Sequence, residues 1–282
     1  MNDYAFTTAE EIKREVRRFK NYLKREDMTE NTVTSYIWTL NYFLEEYHTF
    51  KDDKLLAYKS FLMENFAPAT TNQRIQALNK YITWNNIRNV RKLKSVKIQQ
   101  KPYLENVISM TDYTYLKRKL KQEPDLTNYF LIWGIGCTGA RISEILKVKV
   151  ENIADGFMDL YGKGRKNRRI YFIKAYQKEA LEWCETVDIK TGYIFLKQNG
   201  EPMTIKGVEK NIKSMSKKFG IEEHTMYPHS FRHMFGKNFY DKTKDLPLLA
   251  DIMGHASLET TRIYTRRTAL EQRSIIEKTV KW

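Results

Sequence analysis

The sequence predicts a mainly α-helical protein of two domains with a small antiparallel β-sheet. Apolar residues recur every three or four positions through the first 90 residues, as amphipathic helices require. A basic segment over 91–105 interrupts that pattern, and the chain after it is mixed but mostly helical. The length of 282 residues agrees with two domains, because a domain commonly spans about 100–200 residues.

The first 90 residues are predicted to form four helices. A capping-box pattern that starts at Thr7 or Thr8 opens the first helix, since a glutamate follows three residues after each. The apolar stripe of this helix consists of Ile12, Val16, Phe19 and Leu23. The second helix follows Thr29, the third covers about 53–66 and the fourth about 70–84.

The segment over 91–105 is predicted to be a linker. From Arg91 to Tyr103 it reads RKLKSVKIQQKPY, with five basic residues, one proline and no acidic residue. Because like charges repel and proline stiffens the chain, such a segment favours an extended connector. The sequence therefore predicts one domain over 1–90 and a second that begins at 106.

The second domain is predicted to combine helices with one hairpin. A helix covers about 112–122, an apolar stretch runs over 129–137, and Arg141 begins the next helix. A helix start directs free backbone N–H groups outward, so an arginine there favours an anion site. Turn signals within 149–173 predict a small antiparallel sheet with Lys163 at the hairpin tip. Further helices are predicted near 175–186, 204–219, 229–241, 246–253 and 257–267, with a short amphipathic helix in 268–282.

Charge and cysteine content narrow the class of function. The chain carries 49 Lys and Arg against 34 Asp and Glu, a net charge of +15 with a pI near 9.5, which favours a partner rich in phosphate. No run of ~18 apolar residues and no apolar leader occurs, so we expect no membrane association. Cys137 and Cys184 are too few for a disulfide framework or a cysteine-based zinc site, and a reducing cytoplasm is expected.

Four short windows carry the residues with chemistry. Each window alone has an ordinary explanation, such as a surface ion pair between Arg141 and Glu144 or a basic turn. Together they supply two arginines, a lysine, two histidines and a tyrosine, the set needed to cut a phosphodiester without a metal. The windows are GCTGARISEIL at 136–146, GKGRKNRR at 162–169, PHSFRH at 228–233 and GHASLETTRIYT at 254–265.

In order, spacing and wording these windows resemble the tyrosine recombinases, also called the phage integrase family. TGARISEIL is similar to the family's TGLRISEL, PHSFRH to PHxLRH, and GHASLETTRIYT to LGHxxxxTTxxYxH. Met253 and Arg266 depart from the Leu and His that many members have. The resemblance is strong over 106–267 and architectural only over 1–90. It implies a two-domain DNA clamp, with a four-helix core-binding domain and a mixed α/β catalytic domain.

The resemblance also implies the catalytic roles. Tyr264 is the expected nucleophile, and its attack on a phosphodiester gives a 3′-phosphotyrosyl intermediate. Arg141 and Arg232 suit the phosphate because guanidinium groups are planar, charged and bidentate donors. His255 is expected to add a hydrogen bond. His229 is the expected acceptor of the tyrosine proton, since an imidazole titrates near neutrality.

Two further roles follow from the same resemblance. Lys163 is expected to protonate the departing 5′-oxygen, although Lys166 stays open because the proline that often follows this hairpin is missing. Glu144 is interpreted as structural, orienting Arg141 or a neighbouring helix. Neither a metal nor a cofactor is implied.

The implied partner is double-stranded DNA with short inverted half-sites. A protein that is a monomer when free would form a homotetramer on that DNA, with 268–282 docking into a neighbouring protomer. Packing of this segment on its own domain is the alternative, and an accessory DNA-bending protein stays open. The expected DNA contacts are Thr71, Asn72, Gln73 and Arg74 at the start of the fourth helix and Arg165 and Lys166 in the hairpin.

The function implied is site-specific DNA recombination, by an Xer-like enzyme or a mobile-element integrase or resolvase. Integration, excision and resolution are not distinguished. A type IB topoisomerase is one alternative, against which the wording around Tyr264 and the apolar tail argue. A catalytically silent DNA-binding accessory protein is another, and the complete set of six residues argues against it.

Overall fold

The structure is a computed structural model that describes residues 6, 8–98, 106–161, 167–255, 257–265 and 269–282. The chain divides into two compact units, Met1–Gln100 and Lys101–Trp282. Within the described ranges the protein is mainly helical, with one two-stranded antiparallel sheet. The predicted fold class is therefore confirmed.

Helices occupy the four predicted segments of the first unit. They are α1 (Ala9–Arg25), α2 (Glu30–Tyr47), α3 (Asp52–Asn65) and α4 (Pro68–Trp84). Thr8 caps α1 in a complete capping box, because its hydroxyl accepts from the Glu11 amide and the Glu11 carboxylate accepts from the Thr8 amide. Thr7, the other candidate, lies outside the described residues. Thr29 caps α2 through its hydroxyl, which accepts from the Thr32 amide.

A buried carboxylate joins α1 to α4 inside an aromatic core. Glu15 is only 5% exposed, and it accepts hydrogen bonds from the Tyr81 hydroxyl at 3.0 Å and from the Arg18 guanidinium at 2.6 Å. The rings of Phe19 and Phe43 in the same core are fully buried, and Phe19 packs edge-on against Tyr81. The apolar stripe of α1 does not predict that Glu15 is buried. Burying a carboxylate is costly unless it receives hydrogen bonds, and the sequence pattern does not show these donors.

The first part of the predicted linker, over 91–98, is hydrogen-bonded to α4 of the first unit, a contact that its basic composition does not indicate. Two asparagines seven residues apart on α4 each bond the extended chain through both the oxygen and the nitrogen of the side-chain amide. Asn79 donates to the Leu93 carbonyl at 2.8 Å and accepts from its amide at 2.9 Å. Asn72 does the same with Val96, at 2.9 and 2.8 Å. These four bonds satisfy the backbone amide and carbonyl groups of Leu93 and Val96. Repulsion between the basic side chains of the segment does not prevent them.

The second unit contains the remaining helices and the sheet. Its strands β1 (Phe157–Tyr161) and β2 (Asn167–Tyr171) pair from Phe157 with Tyr171 to Tyr161 with Asn167. The helices are α5 (Met110–Leu120), α6 (Thr127–Thr138), α7 (Ile142–Ile145), α8 (Val150–Asp155), α9 (Lys174–Thr186), α10 (Ile205–Phe219), α11 (Pro228–Thr243), α12 (Leu246–Met253), α13 (Leu258–Thr261) and α14 (Ala269–Thr279).

Two predicted elements of this unit are corrected. The segment 149–173 was expected to be sheet, but its first part forms α8, which ends at Gly156 in the left-handed conformation. The single helix expected over 257–267 is a short α13 followed by a 3₁₀ turn at Arg262–Thr265. Short helices carry too little periodicity for a sequence pattern to separate them from turns.

Helix α6 is the centre of the second core. Every residue from Tyr129 to Ile135 is buried, and α11 packs directly against it. The chain leaves α6 at Gly139, whose φ of 63° is left-handed, and a Cβ there would collide with the Phe235 ring. Glycine is therefore required where the chain turns from α6 towards α7. In the described part of the chain, no helix is long and apolar enough to cross a membrane.

The asparagine clip gives a stability prediction. Asn79→Ala should lower the free energy that closes 91–98 onto α4 by about 1–2 kcal/mol, because the Leu93 amide and carbonyl lose their partners. Trypsin should then cut after Arg91, Lys92 or Lys94 roughly five- to thirtyfold faster in the full-length protein, at tenfold per 1.4 kcal/mol. Gln76→Ala, an exposed position on the same helix, is the matched control. Equal cleavage rates in the two variants would contradict this role.

Candidate active site

Two of the predicted arginines meet at the end of α6. Arg141 is the N-cap residue of α7, with extended φ and ψ of −71° and 150°. Arg232 lies in α11 and is only 3% exposed, and its Nη1 donates to the Gly139 carbonyl at 2.6 Å. The packing of α11 on α6 thus brings together two guanidinium groups that are 91 positions apart in the sequence.

Three guanidinium groups converge on the carboxyl end of α12. Each donates to a different carbonyl in a run of three consecutive residues. Arg168 bonds Ile252 at 3.2 Å, Arg232 bonds Met253 at 2.7 Å and Arg141 bonds Gly254 at 3.2 Å. The last carbonyls of a helix lack intrahelical donors and carry the negative end of its dipole, so cations are favoured there.

Glu144 is the carboxylate that holds this group of arginines. It accepts from the Arg141 guanidinium at 2.9 Å and from the Arg141 amide at 2.8 Å. It also pairs with Arg168, whose side chain is only 8% exposed. Burial lowers the pKa of Arg168, and burial together with the Arg141 charge lowers the pKa of Arg232 to about 10. Three cations face one carboxylate, so the cluster has an excess of positive charge that suits an anion.

Tyr264 is buried beside the arginines. It is only 3% exposed, and its hydroxyl lies 3.1 Å from Nδ1 of His233. Gly236 of α11 makes room for the ring, since a Cβ at that position would lie 2.6 Å from two of its carbons. Burial raises the pKa of Tyr264 to about 12, although the charges of Arg232 and Arg141 act in the opposite direction.

His255 has a defined tautomer in this arrangement. Its Nε2 lies 3.0 Å from Nη2 of Arg232, and a guanidinium only donates, so Nε2 accepts. Nδ1 therefore carries the proton and donates to the Thr261 hydroxyl at 2.9 Å. The ring lies parallel to that of Tyr264, with 6.2 Å between centroids. Burial and the charge of Arg232 lower the pKa of His255 to about 4, so the ring is neutral at pH 7.

The structure separates the two histidines of the PHSFRH window. His229 is exposed at the start of α11, and its ring makes no hydrogen bond within the described part of the chain. The nitrogen that reaches the tyrosine belongs to His233, one helical turn further on. Burial and the charges of Arg232 and Arg141 lower the pKa of His229, which places its ring in the field of the arginine cluster.

The remaining predicted residues fall into two groups. Lys163, Arg165 and Lys166 lie outside the described residues. In the first unit, Thr71 is wholly buried and its hydroxyl donates to the Leu62 carbonyl, so the expectation that it contacts DNA is wrong.

The other three predicted contacts at the start of α4 have different surroundings. The Asn72 amide is bound to Val96, as described above. The Arg74 guanidinium lies between the rings of Trp38 and Phe66, at 3.6 and 3.9 Å from their centroids. Gln73 is exposed. Asn72 and Arg74 are therefore engaged in contacts within the first unit. Of these three residues, only Gln73 is exposed.

Sequence reasoning missed three members of the site. Arg168, His233 and Thr261 lie inside the recognised windows but were given no role. A spacing of four residues between His229 and His233 shows that they share a face of one helix, but not which ring reaches the tyrosine. Among the described residues, no group of three or more His, Cys, Asp and Glu side chains is placed to hold a metal ion.

Comparison with known proteins identifies the family. The model of the phage integrase family matches residues 120–271. The chain belongs to the phage integrase family. Among its relatives, the tyrosine recombinase XerA of Pyrococcus furiosus is 28% identical over 92% of both chains. The tyrosine recombinase XerC of Leptospira interrogans is 26% identical over 94% of this chain and 93% of the relative. This phage integrase family member is therefore a tyrosine recombinase.

Solved structures share the fold of this tyrosine recombinase. The XerH recombinase bound to its difH substrate before cleavage aligns with a TM-score of 0.69 at 23% identity, covering 96% of this chain and 84% of XerH. The Tn1549 transposon integrase with transposon right-end DNA aligns with a TM-score of 0.71 at 16% identity, covering 95% and 99%. At these identities the likeness speaks for the fold alone.

Gly254 tests how the helix end holds the arginines. Its φ is 62°, and a Cβ there would collide with the Arg168 side chain. Gly254→Ala should cost about 1–2 kcal/mol of stability for the left-handed backbone and about 1–3 kcal/mol more for the collision. Gly220→Ala has a similar φ of 68° and open space, so it isolates the backbone cost. Thermal unfolding should rank Gly254→Ala clearly below Gly220→Ala, and equal midpoints would refute the contact.

The neutral histidines predict how stability depends on pH. Burial lowers the pKa of His233, like that of His255, to about 4, below the value near 6.5 of an unfolded chain. Between these values the unfolded chain binds more protons, so stability is fully present above pH 6.5 and is lost as the pH falls towards 4. The loss over the whole range should be at most about 3 kcal/mol per histidine, because one pKa unit corresponds to about 1.4 kcal/mol and partial exposure screens the effect.

Urea unfolding of the full chain, followed through hydrogen exchange of α6 amides, measures this loss. His233→Gln should reduce the loss between pH 6.5 and 5, where few carboxylates titrate. The exposed His224→Gln is the matched control. If the two variants lose the same free energy of unfolding between pH 6.5 and 5, the lowered pKa assigned to His233 is contradicted.

Proposed function

We propose that this tyrosine recombinase cleaves and rejoins DNA at specific sites through a 3′-phosphotyrosyl intermediate. One observation carries the proposal: the buried hydroxyl of Tyr264 lies against a cluster of guanidinium groups that a single carboxylate, Glu144, only partly neutralises. A phosphodiester supplies the missing negative charge. XerH is bound to its difH substrate and the Tn1549 integrase to transposon right-end DNA, so double-stranded DNA is the substrate class that we propose here.

Arg141 is the guanidinium through which a phosphate enters the site. Its side chain is 37% exposed, whereas Arg232 is almost fully buried. Arg141 uses two of its guanidinium N–H groups on Glu144 and Gly254, and the others remain for a phosphate oxygen. Losing one preorganised donor of this kind typically costs about 10²–10³ in rate.

Tyr264 needs help to act as a nucleophile. With a pKa of about 12, its deprotonation at pH 7 costs about 7 kcal/mol. Burial keeps the hydroxyl protonated until the oxygen–phosphorus bond forms, and a base must then take the proton. The candidates for this base are the two histidines of α11, His229 and His233. Lys163, with Lys166 as the alternative, is proposed to protonate the leaving 5′-oxygen.

Religation by a 5′-hydroxyl from another duplex exchanges strands without ATP, because the phosphotyrosyl bond conserves the energy of the broken diester. The net charge of +15 supports a DNA partner, and the free thiols of Cys137 and Cys184 support a reducing compartment such as the cytoplasm. Ile276 and Trp282, at 59% and 93% exposure, form an apolar tail that we propose docks on a second copy in a DNA-bound tetramer.

The decisive experiment traps the full-length protein on DNA in cells and sequences the DNA that is covalently attached. Wild-type protein should give adducts at one or two short inverted repeats, and Tyr264→Phe should give none, because it removes the attacking oxygen and keeps the buried ring. Tyr240→Phe, a tyrosine on the neighbouring helix α11, is the matched control and should form adducts normally.

Other outcomes reject the proposal. Adducts scattered along the genome would favour a type IB topoisomerase. Equal adducts from wild type and Tyr264→Phe would exclude Tyr264 as the nucleophile. No adduct from wild-type protein would favour the catalytically silent DNA-binding protein.

A further inference from the structure

His233 is a titratable group in direct contact with the tyrosine hydroxyl, and the family motifs used above give it no role. Its Nδ1 lies 3.1 Å from the Tyr264 oxygen, within hydrogen-bond reach of a general base. We infer that His233 is the catalytic base that takes the phenol proton of Tyr264, an inference that rests on the proposed function. His229, the histidine expected from sequence, does not make this contact.

The other groups around the hydroxyl do not compete as acceptors. Arg232 is protonated at neutral pH, and a guanidinium has no lone pair that accepts a proton. Nε2 of His255 already accepts from Arg232, while its Nδ1 donates to Thr261. Of the ring nitrogens in the described site, Nδ1 of His233 is the one aimed at the phenol.

The charges that face His233 keep its ring unprotonated, so that it can accept a proton. On its own helix, His229 and Arg232 lower its pKa, and Lys237 lies one turn further on. Helix α6, packed against α11, carries no Asp, Glu, Lys, Arg or His, and α12 contributes only the exposed Asp251. The 3₁₀ turn at Arg262–Thr265, also packed against α11, adds Arg262, which pairs with Glu259. Burial, the largest cause, and these positive charges disfavour the imidazolium form.

A bound phosphodiester changes this balance in the required direction. Its negative charge beside the arginines offsets the field that disfavours a protonated His233. In the attack, the Tyr264 O–H bond breaks, the proton moves to Nδ1 of His233, and the oxygen electron pair forms the bond to phosphorus. The P–O5′ bond breaks, and the leaving oxygen takes its proton from Lys163 or Lys166, the two lysines proposed above for this step. Religation runs the same steps in reverse, with His233 returning the proton to the tyrosine.

The first test needs no DNA, because it reads the tautomer. The chain has only five histidines, so long-range ¹H–¹⁵N spectra of the full-length ¹⁵N-labelled protein resolve each ring after assignment by single His→Gln variants. At pH 7, Nδ1 of His233 should be unprotonated with the proton on Nε2, and Tyr264→Phe should shift that Nδ1 signal. A protonated Nδ1, or a signal that Tyr264→Phe leaves unmoved, would overturn the inference.

The second test separates a base from a positioning residue. The substrate is a nicked suicide duplex that carries the repeat recovered by covalent trapping. Single-turnover cleavage by His233→Gln should be about 10²–10⁴ slower at pH 7. Glutamine still accepts a hydrogen bond but takes no proton, so the rate of this variant should rise about tenfold per pH unit from 6 to 9 as phenolate forms. The wild-type rate should be nearly flat over this range, and His224→Gln should match wild type.

The outcomes separate this inference from the proposed function. If the tenfold rise appears in His229→Gln while His233→Gln stays flat, His229 is the base and the inference is wrong. A slow but flat His233→Gln would reduce His233 to a positioning role and would also overturn it. Absence of wild-type cleavage would reject the proposed function, and the tautomer test would still decide whether His233 accepts from Tyr264.

Discussion

The carboxyl end of α12 is the constraint on which the site depends. Its last carbonyls rise by only about 1.5 Å per residue, so the three guanidinium groups that bind them must lie close together despite their repulsion. The negative end of the helix dipole and the carboxylate of Glu144 offset that repulsion. Without the helix end, three arginines from distant parts of the chain would have no common acceptor. A cationic cluster is therefore assembled before any phosphate arrives.

This cluster sets the protonation state of its neighbours. Burial and the arginine charges hold the pKa values of His233 and His255 near 4, and burial holds that of Tyr264 near 12. At neutral pH the two rings are neutral and the phenol keeps its proton, while Arg232 stays charged. Under the proposed mechanism, the phenol would therefore stay protonated until a negative charge enters and favours a protonated histidine. In that mechanism, electrostatics links substrate binding to activation of the tyrosine.

Two glycines allow the surrounding elements to approach closely enough. Gly139 turns the chain out of α6 with a left-handed φ and leaves its carbonyl for Arg232. Gly236 leaves the space on α11 that the Tyr264 ring occupies. In the first unit, the asparagines at 72 and 79 fix the extended chain in a similar way, by replacing strand partners with amide side chains. The glycines thus provide space for a close approach, and the asparagines provide the hydrogen bonds that a neighbouring strand would otherwise make.

The sequence by itself determined the helical fold class, a capping box at Thr7 or Thr8 that opens α1, and the family, because periodicity, caps and motif windows are local patterns. It also selected Arg141, Arg232, His255 and Tyr264, which the tertiary structure brings together. Only the tertiary structure decided that His233 rather than His229 reaches the tyrosine, that Arg168 joins Glu144, and that Thr71 is buried. It also attached 91–98, part of the predicted basic linker, to α4. These outcomes depend on contacts between side chains that are far apart in the chain. The helical repeat of 3.6 residues determines on which face of a helix a side chain lies, but not which other residues that face contacts.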